Sequence, residues 1–209
     1  MFIRSALATL SLVCATASAA DLSVQALYAQ PKNDDVVSDG IGAELQLRSW
    51  YTETMAFAFA VGGIVHGAND EAYILPGDTF SGVQTDGNVT LLPVGPSILF
   101  SAPSDGGVTA HLELGARYLL VDSGIDLARV RTGADGQPVS ELDTLEFDNG
   151  VIGLGRVEFS TPIGASTAFA AGVGYQIDLV KGDLTYKGVK AGEAEWAGLF
   201  FTAGLHLTW

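Results

Sequence analysis

Along most of the chain, apolar and polar side chains take turns with a period of two, the repeat of an extended strand whose two faces meet different surroundings. Residues 40–50 show it best: Ile41, Ala43, Leu45 and Leu47 fall on one face, and Glu44, Gln46 and Arg48 on the other. Residues 55–64 set Met55, Phe57, Phe59 and Val61 against Ala56, Ala58, Ala60 and Gly62. In 108–120, Ala110, Leu112, Leu114, Ala116 and Tyr118 oppose His111, Glu113, Gly115 and Arg117. In 150–160, Val151, Val157 and Phe159 oppose Arg156 and Glu158. In 166–179, Phe169, Val173, Tyr175 and Ile177 oppose Gly172, Gly174, Gln176 and Asp178. In 197–209, Leu199, Phe201, Ala203, Leu205, Leu207 and Trp209 oppose Thr202, Gly204, His206 and Thr208. With 22–30 and 89–101 these make eight predicted strands.

Most of these segments run to about 10–12 residues, against about 5–6 for an ordinary globular strand and roughly 9–11 for a strand that crosses a bilayer at a tilt. The connections are sorted by length. Those at 31–39, 65–88, 121–149 and 180–196 are long and polar, whereas those at 51–54, 102–107 and 161–165 are short. Strict long–short alternation is the plan of an outer-membrane barrel, with loops outside and tight turns in the periplasm. The expectation is therefore an all-β fold, an eight-stranded antiparallel up-and-down transmembrane β-barrel over 21–209, with both ends of the barrel on the periplasmic side. Pro93 and Pro96 lie within one predicted strand, where a closed barrel has no free edge for a missing N–H.

The N-terminus changes the picture by adding export. Arg4, an apolar stretch from Ala6 to Ala15 and Ala17-Ser18-Ala19 read as the three parts of a cleaved signal peptide over 1–20, too short to span a membrane. Cys14 falls within it, behind Ser11-Leu12-Val13, which lacks the small residue that a lipoprotein signal needs beside the cysteine. Without residues 1–20 the chain keeps 9 basic and 24 acidic residues, a net charge of −15, so no nucleic acid is expected as a partner. No later apolar run is long enough for a spanning helix. The 26 glycines, few lysines and positive mean hydropathy suit a barrel better than a soluble acidic protein.

On this reading Glu44, Arg48, His111, Glu113, Arg117, Arg156, Glu158, Asp178 and His206 face the lumen as a charge network. Eight strands leave an interior just wide enough for side chains, which favours a paired plug over a pore. The opposite faces meet lipid, with Tyr28, Phe57, Phe59, Tyr118, Phe159, Phe169, Tyr175, Phe201 and Trp209 supplying aromatics, and Trp50, Tyr51 and Trp209 forming a girdle at the periplasmic rim. A soluble barrel holding an apolar ligand would alternate in the same way.

The C-terminal run Leu199-Phe-Phe-Thr-Ala-Gly-Leu-His-Leu-Thr-Trp209 resembles the last strand of bacterial outer-membrane proteins, and the architecture over 21–209 resembles the small OmpA- and OmpX-like barrels. The resemblance implies that Phe201, Leu205, Leu207 and Trp209 form the signal read by the barrel-insertion machinery. It implies outer-membrane lipid and lipopolysaccharide as surroundings, a monomer, and no room after the barrel for a peptidoglycan-binding domain.

Candidate chemistry is sparse. The loops carry Asp34, Asp35, Asp39, Asp70, Glu71, Asp78, Asp86, Asp122, Asp126, Asp135, Glu141, Asp143, Glu146 and Asp148, read as solvated surface that could bridge divalent cations to lipopolysaccharide. The stretch from Asp35 to Gln46 lacks the middle and closing ligands of a calcium loop. Asn88-Val-Thr90 matches a glycosylation acceptor by chance, and Gly150-x-x-Gly153-x-Gly155 has no helix behind it to make a nucleotide loop. His66 with Ser81, Asp70 and Glu71, and His206 with Thr208, are the nearest approaches to a lipid A-modifying site, and neither spacing orders a nucleophile, base and orienter. No catalytic residue, metal or cofactor is assigned. The expected role is a non-enzymatic one in envelope structure or surface interaction through acidic loops, with a narrow channel for small solutes as the alternative. A lipid A-modifying enzyme and a soluble periplasmic lipid binder rank below both.

Overall fold

A computed structural model describes residues 19–32, 37–69, 83–103, 107–132 and 135–209. The export signal expected over 1–20 lies outside them except for Ala19 and Ala20, which open the first strand, and so do Asp34, Asp35, Asp70, Glu71, Asp78 and Ser81. The described residues contain strands and turns and no helix. The strands are β1 (Ala19–Pro31), β2 (Val37–Thr52), β3 (Met55–Ala68), β4 (Val83–Pro103), β5 (Thr109–Thr132), β6 (Pro138–Phe147), β7 (Gly150–Pro162), β8 (Thr167–Val180), β9 (Gly182–Tyr186), β10 (Val189–Ala194) and β11 (Gly198–Thr208).

Eight of them close a barrel. β1 to β5 pair in chain order, β5 pairs with β7, β7 with β8, β8 with β11, and β11 returns to β1, all antiparallel. These are the eight strands expected from the alternation. The closing seam between β1 and β11 runs without a slip from Asp21 opposite Thr208 to Pro31 opposite Gly198. Period-two alternation then sends every second side chain inward. Outward-facing apolar residues are well exposed around the wall, Ile41 at 68% and Phe159 at 55%, far more apolar surface than a water-soluble monomer normally shows.

Three connections expected as loops contain strand. β3 and β4 extend into 65–88, β5 continues past Leu120 to Thr132 and returns as β6, and 180–196 contains the β9–β10 hairpin. The outer part of β5 pairs with β6, β6 with β9 and β9 with β10, so a small sheet rises from the barrel wall at the end where the connections are long, here the loop end. The acidic residues concealed a second alternation: Ile125, Leu145, Phe147, Leu184 and Tyr186 all turn to one buried face. Lys187 and Gly188, both at positive φ, make the two-residue turn between β9 and β10.

Both prolines are accommodated within β4 without a register change. The ladder to β3 skips Leu92 and Pro93, and the ladder to β5 skips Gly95 and Pro96. Successive N–H groups point to opposite neighbours, so each proline interrupts one ladder and leaves the other intact.

Candidate functional site

The most elaborate chemistry lies inside the barrel. In the half nearer the short turns, the turn end, inward positions of β1, β2, β5, β7 and β11 converge: Asp21, Ser23 and Gln25; Glu44, Gln46 and Arg48; His111, Glu113 and Arg117; Arg156 and Glu158; and His206. All are buried, and Arg48 is 0% exposed. Register sets the pairs. Glu113 stands opposite Arg156 and His111 opposite Glu158 across β5 and β7, and Gln25 stands opposite Glu44 across β1 and β2.

Arg156 is the hub. Its Nη1 donates to Glu44 Oε1 at 3.1 Å and to Gln25 Oε1 at 2.8 Å, and its Nη2 donates to Glu113. Glu113 Oε1 also accepts from Arg117 Nη2 at 2.9 Å, Gln46 Nε2 at 2.8 Å and Ser97 Oγ at 2.7 Å. Arg48 Nη2 pairs with Glu158 Oε1 at 3.0 Å, while Arg48 Nε donates to Gln46 Oε1 at 2.6 Å. Three guanidiniums thus pair with Glu44, Glu113 and Glu158, and Asp21 stands 3.9 Å from Arg48 as a fourth carboxylate. An unpaired charge in such a place costs several kcal/mol, so the network holds together only as a whole.

Toward the turn end, Arg48 Nη1 lies 3.3 Å from His206 Nδ1. A guanidinium can only donate, so Nδ1 accepts and Nε2 carries the proton presented to Glu158 Oε1 at 3.1 Å. His111 sits between two serines, with Nδ1 2.6 Å from Ser101 Oγ and Nε2 2.9 Å from Ser160 Oγ. Ligand atoms of His111, Glu158 and His206 all lie within 4.8 Å of one another, the geometry of a three-ligand metal site. Arg48 already hydrogen-bonds one atom on each of two of them, His206 Nδ1 and Glu158 Oε1. Trp50, expected in the outer girdle, instead turns inward and donates from Nε1 to Asp21 Oδ2 at 2.7 Å. Its position follows the parity of Glu44, Gln46 and Arg48.

Arg117 has a second task. Its Nη1 donates to Pro96 O at 2.9 Å and to Ala116 O at 3.2 Å, the carbonyls at the gap that Pro96 opens in the β4–β5 ladder. We expect Arg117→Leu to lower stability by roughly 3–5 kcal/mol, since it strands carbonyls and carboxylates together, and Arg117→Lys to recover only part. Urea unfolding of the three proteins checks this, and equal midpoints for the lysine and arginine forms would show that charge alone matters.

The loop-end half of the interior has a different lining. Ile64, Val89, Leu91, Leu119, Ile152 and Phe200 face inward from the wall, and Ile125, Leu145, Phe147, Leu184, Tyr186 and Trp196 close over them as one apolar cluster. Asp178 is found here, away from the ion-pair network in which it was expected. Position 178 has the right parity but lies too near the loop end. Its carboxylate accepts from Trp196 N at 3.0 Å and Ala197 N at 3.0 Å, fixing the segment that carries the Trp196 indole. On the outside of the extension, Lys181 is hydrogen-bonded to Glu195, which with Glu193 beside it holds the ammonium above its usual range.

Phe201, Leu205, Leu207 and Trp209 lie on the exposed apolar face of the C-terminal strand, with Trp209 72% exposed. Tyr28, Tyr118, Phe159, Phe169 and Tyr175 also face outward. Among the acidic loop residues, Asp39 accepts from Tyr28 Oη, and Asp126 accepts from Thr144 Oγ1 at 2.9 Å. Gln25, Gln46 and Ser97 belong to the network although their types did not mark them. Parity with Glu44 would have singled out Gln46.

A closed eight-stranded antiparallel barrel with an apolar outside and a charge-paired inside is the architecture of the small outer-membrane barrels. No protein-family model matches the sequence, and no curated protein matches it. Solved structures do match. The outer membrane protein OprG from Pseudomonas aeruginosa gives a TM-score of 0.63 and 9% identity over 93% of this chain and 97% of that one. A major outer membrane protein from Thermus thermophilus gives 0.57 and 13% over 91% and 99%. Neisserial surface protein A gives 0.52 and 14% over 91% and 97%. At such identities the likeness is one of fold, and the fold of this chain is that of the small eight-stranded outer-membrane barrels.

Proposed function

We propose that this chain is an integral protein of a bacterial outer membrane, a non-enzymatic barrel that contributes to envelope structure or to surface contacts through its acidic loop end. The observation that carries this reading is the inversion of polarity: exposed apolar side chains ring the wall, and paired charges fill the inside. Such a wall needs hydrocarbon around it, and the strand lengths suit a bilayer. In this reading residues 1–20 are an export signal, removed on the way. The turn end faces the periplasm, and the strand ending in Phe201, Leu205, Leu207 and Trp209 is the segment the barrel-insertion machinery reads. Outer-membrane lipid and lipopolysaccharide surround a monomer.

The non-enzymatic part rests on the two candidate histidines. His206 has its ring nitrogens engaged by Arg48 and Glu158, and His66 is buried with Nδ1 held by the Ser38 carbonyl. The ion-pair layer and the apolar cluster above it favour a plug over a channel, so purified protein should give no steady conductance in planar bilayers. The deciding experiment is fractionation of cells producing the full chain. The protein should appear in the outer-membrane fraction and run at two mobilities on a gel, before and after boiling. Recovery as a detergent-free soluble protein would sink the reading.

A further inference from the structure

Among the described residues, two polar atoms in the apolar half of the barrel have no partner, and together they define a ligand chemistry. His66 Nδ1 lies 2.9 Å from the carbonyl oxygen of Ser38. A carbonyl only accepts, so Nδ1 carries the proton and the neutral ring leaves Nε2 with a lone pair. That Nε2 is fully shielded and makes no hydrogen bond, and the Nε1–H of Trp196, which can only donate, is likewise shielded and unbonded. Both residues are 2% exposed, and their rings lie 5.7 Å apart at 45°. Each orphaned group costs about 1–3 kcal/mol if it stays unmatched.

The position of the imidazole is also built in. Its ring lies over Gly40, where a Cβ would come within 2.5 Å of His66 Cε1, so β2 provides a seat that any side chain at 40 would fill. Phe147 flanks the indole on another side at 5.7 Å, and Trp196 belongs to the apolar cluster with Ile64, Leu91 and Phe200.

We propose that His66 and Trp196 form a binding site for the hydroxyl group of a small apolar alcohol, with Trp196 Nε1 donating to its oxygen and His66 Nε2 accepting its proton. A buried acceptor and a buried donor are matched at once by a group that is both, and a hydroxyl is the smallest such group. A carbonyl or carboxylate would leave His66 unmet, and an ammonium would leave Trp196 unmet. Water could also bridge the pair, since a buried water makes about two to four hydrogen bonds. An alcohol needs only those two and lays its carbon body against the apolar lining. The site goes beyond the envelope role and does not depend on it.

The test uses the barrel folded in detergent micelles, with folding verified by gel mobility, so that loss of the site is distinct from loss of the barrel. Indole N–H resonances are followed during titration with phenol and, separately, with toluene. Trp196→Phe assigns the signal, and the indole of Trp209 on the outer surface reports simple partition into the micelle. The expected result is a saturable shift of the Trp196 indole with phenol, at least ten-fold weaker or absent with toluene, and abolished in His66→Phe with the fold retained. Equal responses to phenol and toluene would overturn the proposal by showing an apolar cavity without hydroxyl recognition. So would the absence of any saturable shift, whether the indole shows contact with a long-lived water or a direct hydrogen bond to His66 Nε2.

Discussion

Replacing Arg156 by alanine should destabilise the barrel more than any other change to a single charge in its interior. The guanidinium bonds Glu44, Glu113 and Gln25 from three different strands. Its loss leaves carboxylates buried beside each other with one cation, Arg117, between them. Breaking a buried pair on one side costs about 3–5 kcal/mol, most of it from the charge left behind. The double change Arg156→Met with Glu113→Gln should therefore be milder than Arg156→Ala alone, because it removes charge of both signs. Urea unfolding of the folded band on gels measures all three. If Arg156→Ala unfolded at the parent's urea concentration, the account of the interior as an interdependent charge network would be wrong.

The second large effect is steric and lies at the seam. Gly204 on β11 faces Gln25 on β1, and a Cβ built there runs into Val24 O and comes within 2.6 Å of Gln25 Cα. Both obstacles are backbone, so no rotamer change relieves them, and the strands themselves would have to part. Overpacking typically costs about 1–3 kcal/mol and more when the backbone must move. The β1–β11 pairing is what closes the barrel, so Gly204→Val should refold poorly and lose most of the heat-modifiable species. Ala203→Val, one residue away and pointing outward, should refold as the parent does. Equal refolding yields for the two variants would show that the seam tolerates a wider spacing than this structure has.

The barrel was legible because two independent signals agreed. Alternation placed Glu44, Glu113, Arg156 and Glu158 on one face of their strands, and connection lengths ordered the strands up and down. Where only one signal was present, the reading failed. Residues 121–127 set Val121, Ile125 and Leu127 against Asp122 and Asp126, but these aspartates and the arginines after them read as loop, and the sheet above the barrel was missed. Charge marks contact with water on one face only, and the buried face there is Ile125 with Leu145 and Phe147 from β6. Asp178 shows the limit of parity. It gives the direction of a side chain, not its height along the barrel axis. Asp178 thus binds the Trp196 backbone instead of an arginine, whereas Trp50 was placed by its height alone and follows its parity inward to Asp21. The orphan pair at His66 and Trp196 could not be read at all, because the two are brought together by closure of the barrel and its cover.

The length of β5 has a consequence for what a partner outside the cell would meet. Its 24 residues at about 3.3 Å each extend roughly 80 Å, and a tilted strand needs less than half of that to cross a bilayer. With the barrel in a membrane as proposed, the remainder stands clear of the lipid as a stiff mast, continuous with the wall and braced by β6. Force or binding applied at that height is transmitted down the β5 backbone itself to the Glu113–Arg156 layer, so the surface of this protein and its interior are mechanically one piece.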